Sequence, residues 1–250
     1  MKCIVCSQSA EAKFEKDFRE KKVIYFECPK CGHLSASEFD TDELYSENDY
    51  FSSVDKGWKK RNERIRRYLR FLNLLPGIKI RKGIPALDFG CGVGKLVTLL
   101  NQEGYEAWGY EPFPNQPFNS DQVFTRAERL QRLGDTFQLV TSIEVFEHLR
   151  SPDEVMETIL SVLQSGGYLL VSTDMYDPSR HGADWYYINP NAGHVSIFTD
   201  RSLRTLLNRH GFFPVFRLTT DVWAFRHLPG QTTTADRAYF PLSELRLRLK

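Results

Sequence analysis

Ile84-Pro85-Ala86-Leu87-Asp88-Phe89 is a short apolar run that breaks into Gly90-Cys91-Gly92-Val93-Gly94 and resumes as Lys95-Leu96-Val97-Thr98-Leu99-Leu100. The order is strand, glycine turn, helix, which is the opening unit of a doubly wound α/β sheet. Three glycines in five positions let a ligand approach the backbone where a Cβ would stand in its way. Ala107-Trp108-Gly109-Tyr110 reads as the next strand and ends at Glu111. A carboxylate at the tip of a second strand is placed to accept hydrogen bonds from both hydroxyls of a ribose. A glycine turn alone is a weak signal. Asp88, the G-x-G-x-G run and Glu111 together are a much stronger one.

A chain of 250 residues has room for one such domain and a small appendage. Its 41% apolar and 13% aromatic content supplies a core and excludes global disorder. Lys and Arg number 33 against 32 Asp and Glu. That balance excludes attachment to nucleic acid or membrane by bulk charge, though not a local basic face. No apolar run reaches about 18 residues, so no transmembrane helix is expected. Met1-Lys2-Cys3-Ile4-Val5-Cys6, followed by polar residues, does not read as a secretory signal. The expectation is a cytoplasmic protein without membrane insertion.

Two cofactor classes compete for the glycine unit. A dinucleotide site wants G-x-G-x-x-G with a pyrophosphate at the helix N-terminus. Here the third glycine comes one position early, and Asp88 precedes the loop. An acid there repels pyrophosphate and suits the α-ammonium of a methionine moiety. Leu87-Asp88-Phe89-Gly90-Cys91-Gly92-Val93-Gly94 resembles the first motif of class I S-adenosylmethionine-dependent methyltransferases, in particular the methyltransferase 23 and ubiquinone O-methyltransferase-like group. Phe137-Gln138-Leu139-Val140-Thr141-Ser142 resembles the family's fourth strand. Val162-Leu163-Gln164-Ser165-Gly166-Gly167 resembles its L-x-P-G-G turn with Ser165 in place of proline, and Tyr168-Leu169-Leu170-Val171-Ser172-Thr173 resembles the fifth strand. The resemblance spans about residues 84–225. It implies a Rossmann-like doubly wound seven-stranded sheet whose last strand is antiparallel. It also implies that Asp88, Gly90, Cys91, Gly92 and Gly94 lie at the methionine end of S-adenosylmethionine, with Glu111 on the ribose. Ser142, and Glu128 near the adenine, complete the implied cofactor contacts. Cys91 is assigned no chemistry of its own.

Methyl transfer from a sulfonium is an in-line displacement, so alignment of the acceptor is central, and a hydroxyl acceptor must also lose a proton. Ser142-Ile143-Glu144-Val145-Phe146-Glu147-His148-Leu149 follows the fourth strand. As a helix it would put Glu144, Glu147 and His148 on one face. His194, after the fifth strand, would reach the same rim. Glu-x-x-Glu-His with a later His resembles metal-assisted O-methyltransferases, one group acting on ubiquinone precursors and another on RNA 3′ ends. By that reading Glu144, Glu147, His148 and His194 hold Mg²⁺ or Mn²⁺. A metal-free reading stands beside it, with His148 or His194 as base and Glu147 in support, or with these residues only packing against the cofactor pocket.

Four of the five cysteines fall in two pairs, Cys3-x-x-Cys6 and Cys28-x-x-Cys31, with 21 residues between them. Two such knuckles suit a tetrahedral Zn²⁺, brought together by a hairpin of Phe14, Phe18, Val23, Ile24, Tyr25 and Phe26. A redox or disulfide pairing is disfavoured without an export signal. The zinc would be structural, because a module of about 35 residues lacks a core of its own.

Residues 56–75 have a helical period with an apolar stripe of Trp58, Ile65, Tyr68, Leu69, Leu72 and Leu75. Eight basic residues and one acid lie between Lys56 and Arg70. That face is either solvated or a surface for an anionic acceptor such as a nucleotide sugar, a lipid phosphate or RNA. The long segment 175–195 carries Trp185, Tyr186, Tyr187, Asn189 and Asn191, which suit a sugar or planar acceptor or else form a flap over the cofactor.

The expected domains are a zinc-ribbon-like module at 1–37, a linker with Tyr45, Tyr50 and Phe51 and a basic helix at 38–82, the methyltransferase domain at 83–227, and a tail or peripheral helix at 228–250. The expected activity is O-methylation of a hydroxyl, within a vicinal diol or catechol, on a small molecule or glycan precursor. RNA methylation, metal-independent N- or C-methylation and non-catalytic cofactor binding are the alternatives.

Overall fold

The computed structural model describes residues 1–41, 44, 57–114 and 117–230. Tyr45, Tyr50 and Phe51 of the expected linker and all but the first residues of the expected tail lie outside them.

Seven strands form the main sheet. In chain order they are β4 (Pro85–Phe89), β5 (Glu106–Tyr110), β6 (Val123–Phe124), β7 (Phe137–Ile143), β8 (Leu163–Ser172), β10 (Phe212–Arg217) and β11 (Val222–His227). Their spatial order is β10-β11-β8-β7-β4-β5-β6. The β4 strand pairs in parallel with β5 and β7, and β7 with β8, while β11 runs antiparallel to both β8 and β10. Only the last strand is therefore reversed. The order turns back at β4, so the carboxyl ends of β4, β5 and β7 open onto one crevice, the place where ligands sit in such sheets.

Helices cover both faces because the central strands are apolar on both sides. They are α1 (Trp58–Leu74), α2 (Lys95–Gln102), the short α3 (Ala127–Gln131), α4 (Pro152–Leu160) and α5 (Asp200–Arg209). One core layer joins Ile65, Leu69 and Leu72 of α1 to Leu96, Val97 and Leu100 of α2 and to Ala86, Leu139 and Leu170 of the sheet. The opposite layer joins Met156 and Ile159 of α4 to Leu203, Leu206 and Leu207 of α5 over Leu87, Val140 and Leu169. The apolar stripe read for residues 58–75 is this buried face.

The basic face of α1 is partly engaged within the fold, while Lys59, Lys60 and Arg67 stay exposed. Arg66 and Arg70 bind Glu103 at 2.9 and 2.5 Å, and Arg64 binds Asp221.

The N-terminal segment folds as a hairpin, β1 (Glu11–Phe18) with β2 (Lys21–Glu27), followed by β3 (Leu34–Ala36). It does not stand apart from the main domain. The β3 strand pairs with β9 (Ser196–Ile197), Leu34 opposite Ile197, which gives a second sheet of order β1-β2-β3-β9. Cys3, Cys28 and Cys31 are buried in the same core layer as α4 and α5.

The α-helix expected through Ser142–Leu149 does not form. The β7 strand runs to Ile143, Glu144 takes a positive φ of 56°, and a single 3₁₀ turn spans Phe146–His148. The reason lies in Ser142-Ile143-Glu144-Val145: the parallel partner β8 extends pairing to Ile143, and the chain must then turn sharply over the glycine loop.

Candidate functional site

The glycine loop sits where β4 meets α2. Gly90 has φ 74°, and a Cβ added to it would come 2.4 Å from Val145 Cγ2. A side chain there would collide with the turn after β7, so this glycine sets how closely loop and rim approach. Gly109 plays the same part beneath the loop, where an added Cβ would lie 2.5 Å from Cys91 Sγ. Cys91 is thus a packing group whose thiol is pushed well up by burial and by the neighbouring charges of Asp88 and Glu111. At Gly92 an added Cβ would meet nothing, so the loop presents bare backbone to open space.

Two carboxylates frame that backbone. Glu111 follows β5 and accepts hydrogen bonds from the backbone N–H groups of Gly92 (2.9 Å) and Phe113 (3.0 Å). Burial raises its pKa, opposed by these two donors. Asp88 lies inside the sheet, is raised to about 7 by burial, and is held by a 2.7 Å hydrogen bond from the Thr141 hydroxyl. Thr141, on β7, was not singled out in the sequence; only the parallel pairing of Asp88 with Thr141 reveals it. Ser142 is buried, and its Oγ has no hydrogen-bond partner among the described residues. Glu128 lies in the first turn of α3, beside Tyr110 at the end of β5.

On the rim, one carboxylate oxygen of Glu147 and one ring nitrogen each of His148 and His194 all lie within 4.8 Å of one another. Glu144 is not in that group. Its carboxylate turns away, accepting from the Ser172 hydroxyl at 2.7 Å and from the Tyr187 hydroxyl at 3.4 Å. His148 Nδ1 lies 3.1 Å from the Gly193 carbonyl and His194 Nδ1 lies 2.8 Å from the Tyr187 carbonyl. A carbonyl only accepts, so both rings carry their proton on Nδ1 and present Nε2 as the lone-pair nitrogen. Burial lowers their pKa values to about 4 and about 3, keeping both rings neutral. Glu147 Oε2 accepts from the Thr173 hydroxyl at 3.0 Å, whereas Oε1 is buried without a hydrogen-bond partner among the described residues. Burial raises the pKa values of Glu144 and Glu147, and the charge of Glu147 adds to the rise at Glu144.

The aromatic segment divides. Tyr187 is buried and joins Thr173 and Glu144 by its hydroxyl, while Trp185 stacks on His181 with centroids 4.1 Å apart. Tyr186 is 68% exposed and its hydroxyl bonds to Asp174. A cavity of about 400 Å³ opens at this point, lined by Arg61, Arg64, Glu144, Asp174, Tyr186 and Tyr187 among others.

In the N-terminal segment, the four sulfurs of Cys3, Cys6, Cys28 and Cys31 also lie within 4.8 Å of one another. None is in a disulfide, and the S···S separations are 3.4–3.6 Å. The second knuckle is tied to the main domain. Thr199 caps α5 by accepting from Ser202 N, and its hydroxyl also donates to the Cys31 carbonyl at 2.7 Å. Tyr25 donates to the His194 carbonyl at 2.6 Å and so connects the hairpin to the rim.

A family profile described as "Methyltransferase domain" matches residues 58–215. Among curated proteins, the chain is 29% identical over 155 residues to a "Ubiquinone biosynthesis O-methyltransferase" of Cereibacter sphaeroides, covering 54% of this chain and 63% of that one. A protein of the same name from Roseobacter denitrificans is 28% identical over 158 residues, covering 54% and 62%. The matches thus span less than two thirds of the relatives' length. Among solved structures, 1,6-didemethyltoxoflavin-N1-methyltransferase of Burkholderia thailandensis, with 1,6-didemethyltoxoflavin and S-adenosylhomocysteine bound, superposes with TM-score 0.54 at 15% identity. It covers 88% of this chain and 100% of its own. A methyltransferase solved in complex with the Trm112 activator of Haloferax volcanii superposes with TM-score 0.53 at 14% identity, covering 73% and 98%. At these identities the two structures show the fold.

Proposed function

The chain belongs to the class I S-adenosylmethionine-dependent methyltransferases, and from that premise we propose that it methylates a hydroxyl group, one of a vicinal diol or catechol pair, on a small molecule or glycan precursor. The observation that carries the proposal is the rim. Two neutral imidazoles and Glu147 bring one ligand atom each within 4.8 Å of one another, and Glu147 Oε1, buried and without a hydrogen-bond partner among the described residues, lies 3.9 Å from His148 Nε2. An unpartnered buried carboxylate oxygen is costly unless a cation or donor meets it. A histidine whose Nδ1–H is fixed on a carbonyl is oriented as metal-binding histidines are.

The loop fits the methyl donor. Gly92 leaves bare backbone open, Asp88 keeps acceptor capacity beyond its one hydrogen bond, and Ser142 Oγ is without a partner among the described residues. When bound, S-adenosylmethionine supplies an electrophilic methyl group on a sulfonium. Asp88, once ionised by the ammonium beside it, would accept from its α-ammonium, Glu111 would accept from its ribose hydroxyls, and Gly90, Gly92 and Gly94 would let it lie on the backbone. Glu128 would stand near its adenine and Ser142 would complete the contacts.

Glu147, His148 and His194 would hold a divalent cation, Mg²⁺ or Mn²⁺ by the oxygen-rich character of the acceptor. When bound, such a cation lowers the pKa of a coordinated hydroxyl. Glu144 lines the neighbouring cavity with Asp174 and Tyr187, where its carboxylate would take the released proton. Tyr187 and Ser172 fix the orientation of that carboxylate. The arginines of α1 that pair with Glu103 and Asp221 are occupied within the fold, which weakens an RNA acceptor relative to a small one.

The cysteine cluster is assigned a structural Zn²⁺. A tetrahedral S₄ site with Zn–S of about 2.3 Å needs sulfurs about 3.8 Å apart, close to the separations seen here.

Binding tests the donor half of the proposal. S-adenosylhomocysteine should raise the melting temperature of the wild-type chain, and Asp88→Ala should abolish the rise. A wild-type protein that shows no shift at millimolar ligand would overturn the cofactor assignment.

A further inference from the structure

A second cavity, of about 1000 Å³, lies between the Cys28–Cys31 knuckle, the stretch 174–185 and the first turn of α5. Its size is that of a site for a small ligand rather than for a macromolecule. The charges on its walls do not cancel. Six cationic side chains line it against four carboxylates: Glu27 pairs with Lys13 and Asp200 with Arg204 and Arg217, while Asp174 and Asp177 accept from the Tyr186 hydroxyl and from Ser179 and keep their charge. Lys30, Arg180 and Arg201 line the same walls and have no carboxylate within ion-pair distance among the described residues. They come from three stretches of chain that the fold brings together. Arg201 is already oriented, because its guanidinium donates to the Lys30 carbonyl at 2.9 Å.

We propose that this groove binds a phosphate-type anion, a diphosphate by its charge, carried by the methyl acceptor. The inference rests on the small-molecule reading given above and names the class of acceptor. A wall with six cations against four carboxylates suits a multiply charged anion, and two of the three cations without a carboxylate at ion-pair distance are guanidiniums, whose forked donors fit phosphate oxygens. Trp185, half-buried and stacked flat on His181, supplies a ring surface along the same groove for the planar or sugar portion of the ligand. Asp174 lines both this groove and the cavity that holds Glu144, so the two spaces adjoin. An acceptor whose phosphate lies on Arg180 and Arg201 would therefore extend toward the rim.

Calorimetric titration of the full chain with inorganic pyrophosphate, and separately with uridine diphosphate, tests this. Both should bind saturably below about 1 mM, with uridine diphosphate the tighter because the rings take its nucleoside. Arg180→Ala and Arg201→Ala should each weaken both probes about tenfold, as loss of one charge-assisted contact does. Both side chains are exposed, so neither variant threatens folding. Titration with S-adenosylhomocysteine in the same preparations reads the donor site independently and should not change. Absence of saturable binding by either probe, or binding indifferent to the double variant, would overturn the groove assignment while leaving the methyltransferase reading in place. Failure of S-adenosylhomocysteine to bind the wild type would instead strike that reading.

Discussion

Asp88 is the residue at which sequence, burial and cofactor chemistry meet. An unfolded aspartate loses its proton near pH 3.8, whereas the buried carboxyl of the folded chain keeps it until about pH 7. Between those values the folded state binds more protons than the unfolded one, so this group makes stability fall as pH rises, and its full cost is present above pH 7. The cost is on the order of 4 kcal/mol, from about 1.4 kcal/mol per pKa unit. Buried His33, His148 and His194, all lowered, act in the opposite sense below pH 6.5. Comparison with Asp88→Asn cancels those contributions. In denaturant unfolding of the cofactor-free protein, wild type should lose several kcal/mol relative to Asp88→Asn between pH 4.5 and 8. A difference that stays flat over that range would show that Asp88 is not held protonated. The motif itself was legible in Leu87–Gly94, but the environment of Asp88 was not. Its one donor among the described residues, Thr141, lies 53 residues away and faces it only because β4 and β7 pair in parallel.

At the scale of elements, the rim shows how Glu147, His148 and His194 come together, without Glu144, through a local structure other than the expected helix. The spacing of Glu144, Glu147 and His148 suggests one helical face. The chain instead leaves β7 through a left-handed Glu144 into a 3₁₀ turn, which keeps Glu147 and His148 together with His194 and swings Glu144 onto Ser172 and Tyr187. Periodicity cannot register such a turn, because the deciding contact is between loop and rim, Gly90 against Val145. The partner of His194 was equally hidden. Tyr25 belongs to the N-terminal hairpin, and its hydroxyl holds the His194 carbonyl across 169 residues of sequence. Tyr25→Phe removes that hydroxyl from a buried site, a loss of about 1–2 kcal/mol in stability. Tyr25 is a positioning residue, so the variant should bind Mn²⁺ several-fold more weakly, read by paramagnetic resonance, and should bind S-adenosylhomocysteine as the wild type does. Unchanged Mn²⁺ affinity would leave Tyr25 a merely structural role.

For the whole molecule, the spatial order of the strands emerges only from their pairing, whereas the seven-stranded sheet with one reversed strand was legible through the resemblance carried by Leu87–Gly94 and the strand runs after it. The joining of the cysteine module to the main domain was not, because Leu34 and Ile197 meet only in the folded chain. That joining gives the module a consequence beyond its own folding. Its second knuckle holds Thr199 at the cap of α5, and its hairpin holds His194. Elemental analysis should find about one zinc per chain, lost in Cys28→Ser together with several degrees of melting temperature. A metal-free protein of unaltered stability would contradict the assignment. Methyl transfer itself reads the rim. Labelled S-adenosylmethionine should be incubated with catechols, diol sugars and their phosphate esters, before and after chelation and re-addition of Mg²⁺ or Mn²⁺. Label should appear on a hydroxyl oxygen, turnover should be lost on chelation and restored by either cation, and Glu147→Gln and His194→Ala should each lower it at least about 100-fold. Transfer indifferent to chelation and to both substitutions would rule out a cation-assisted rim.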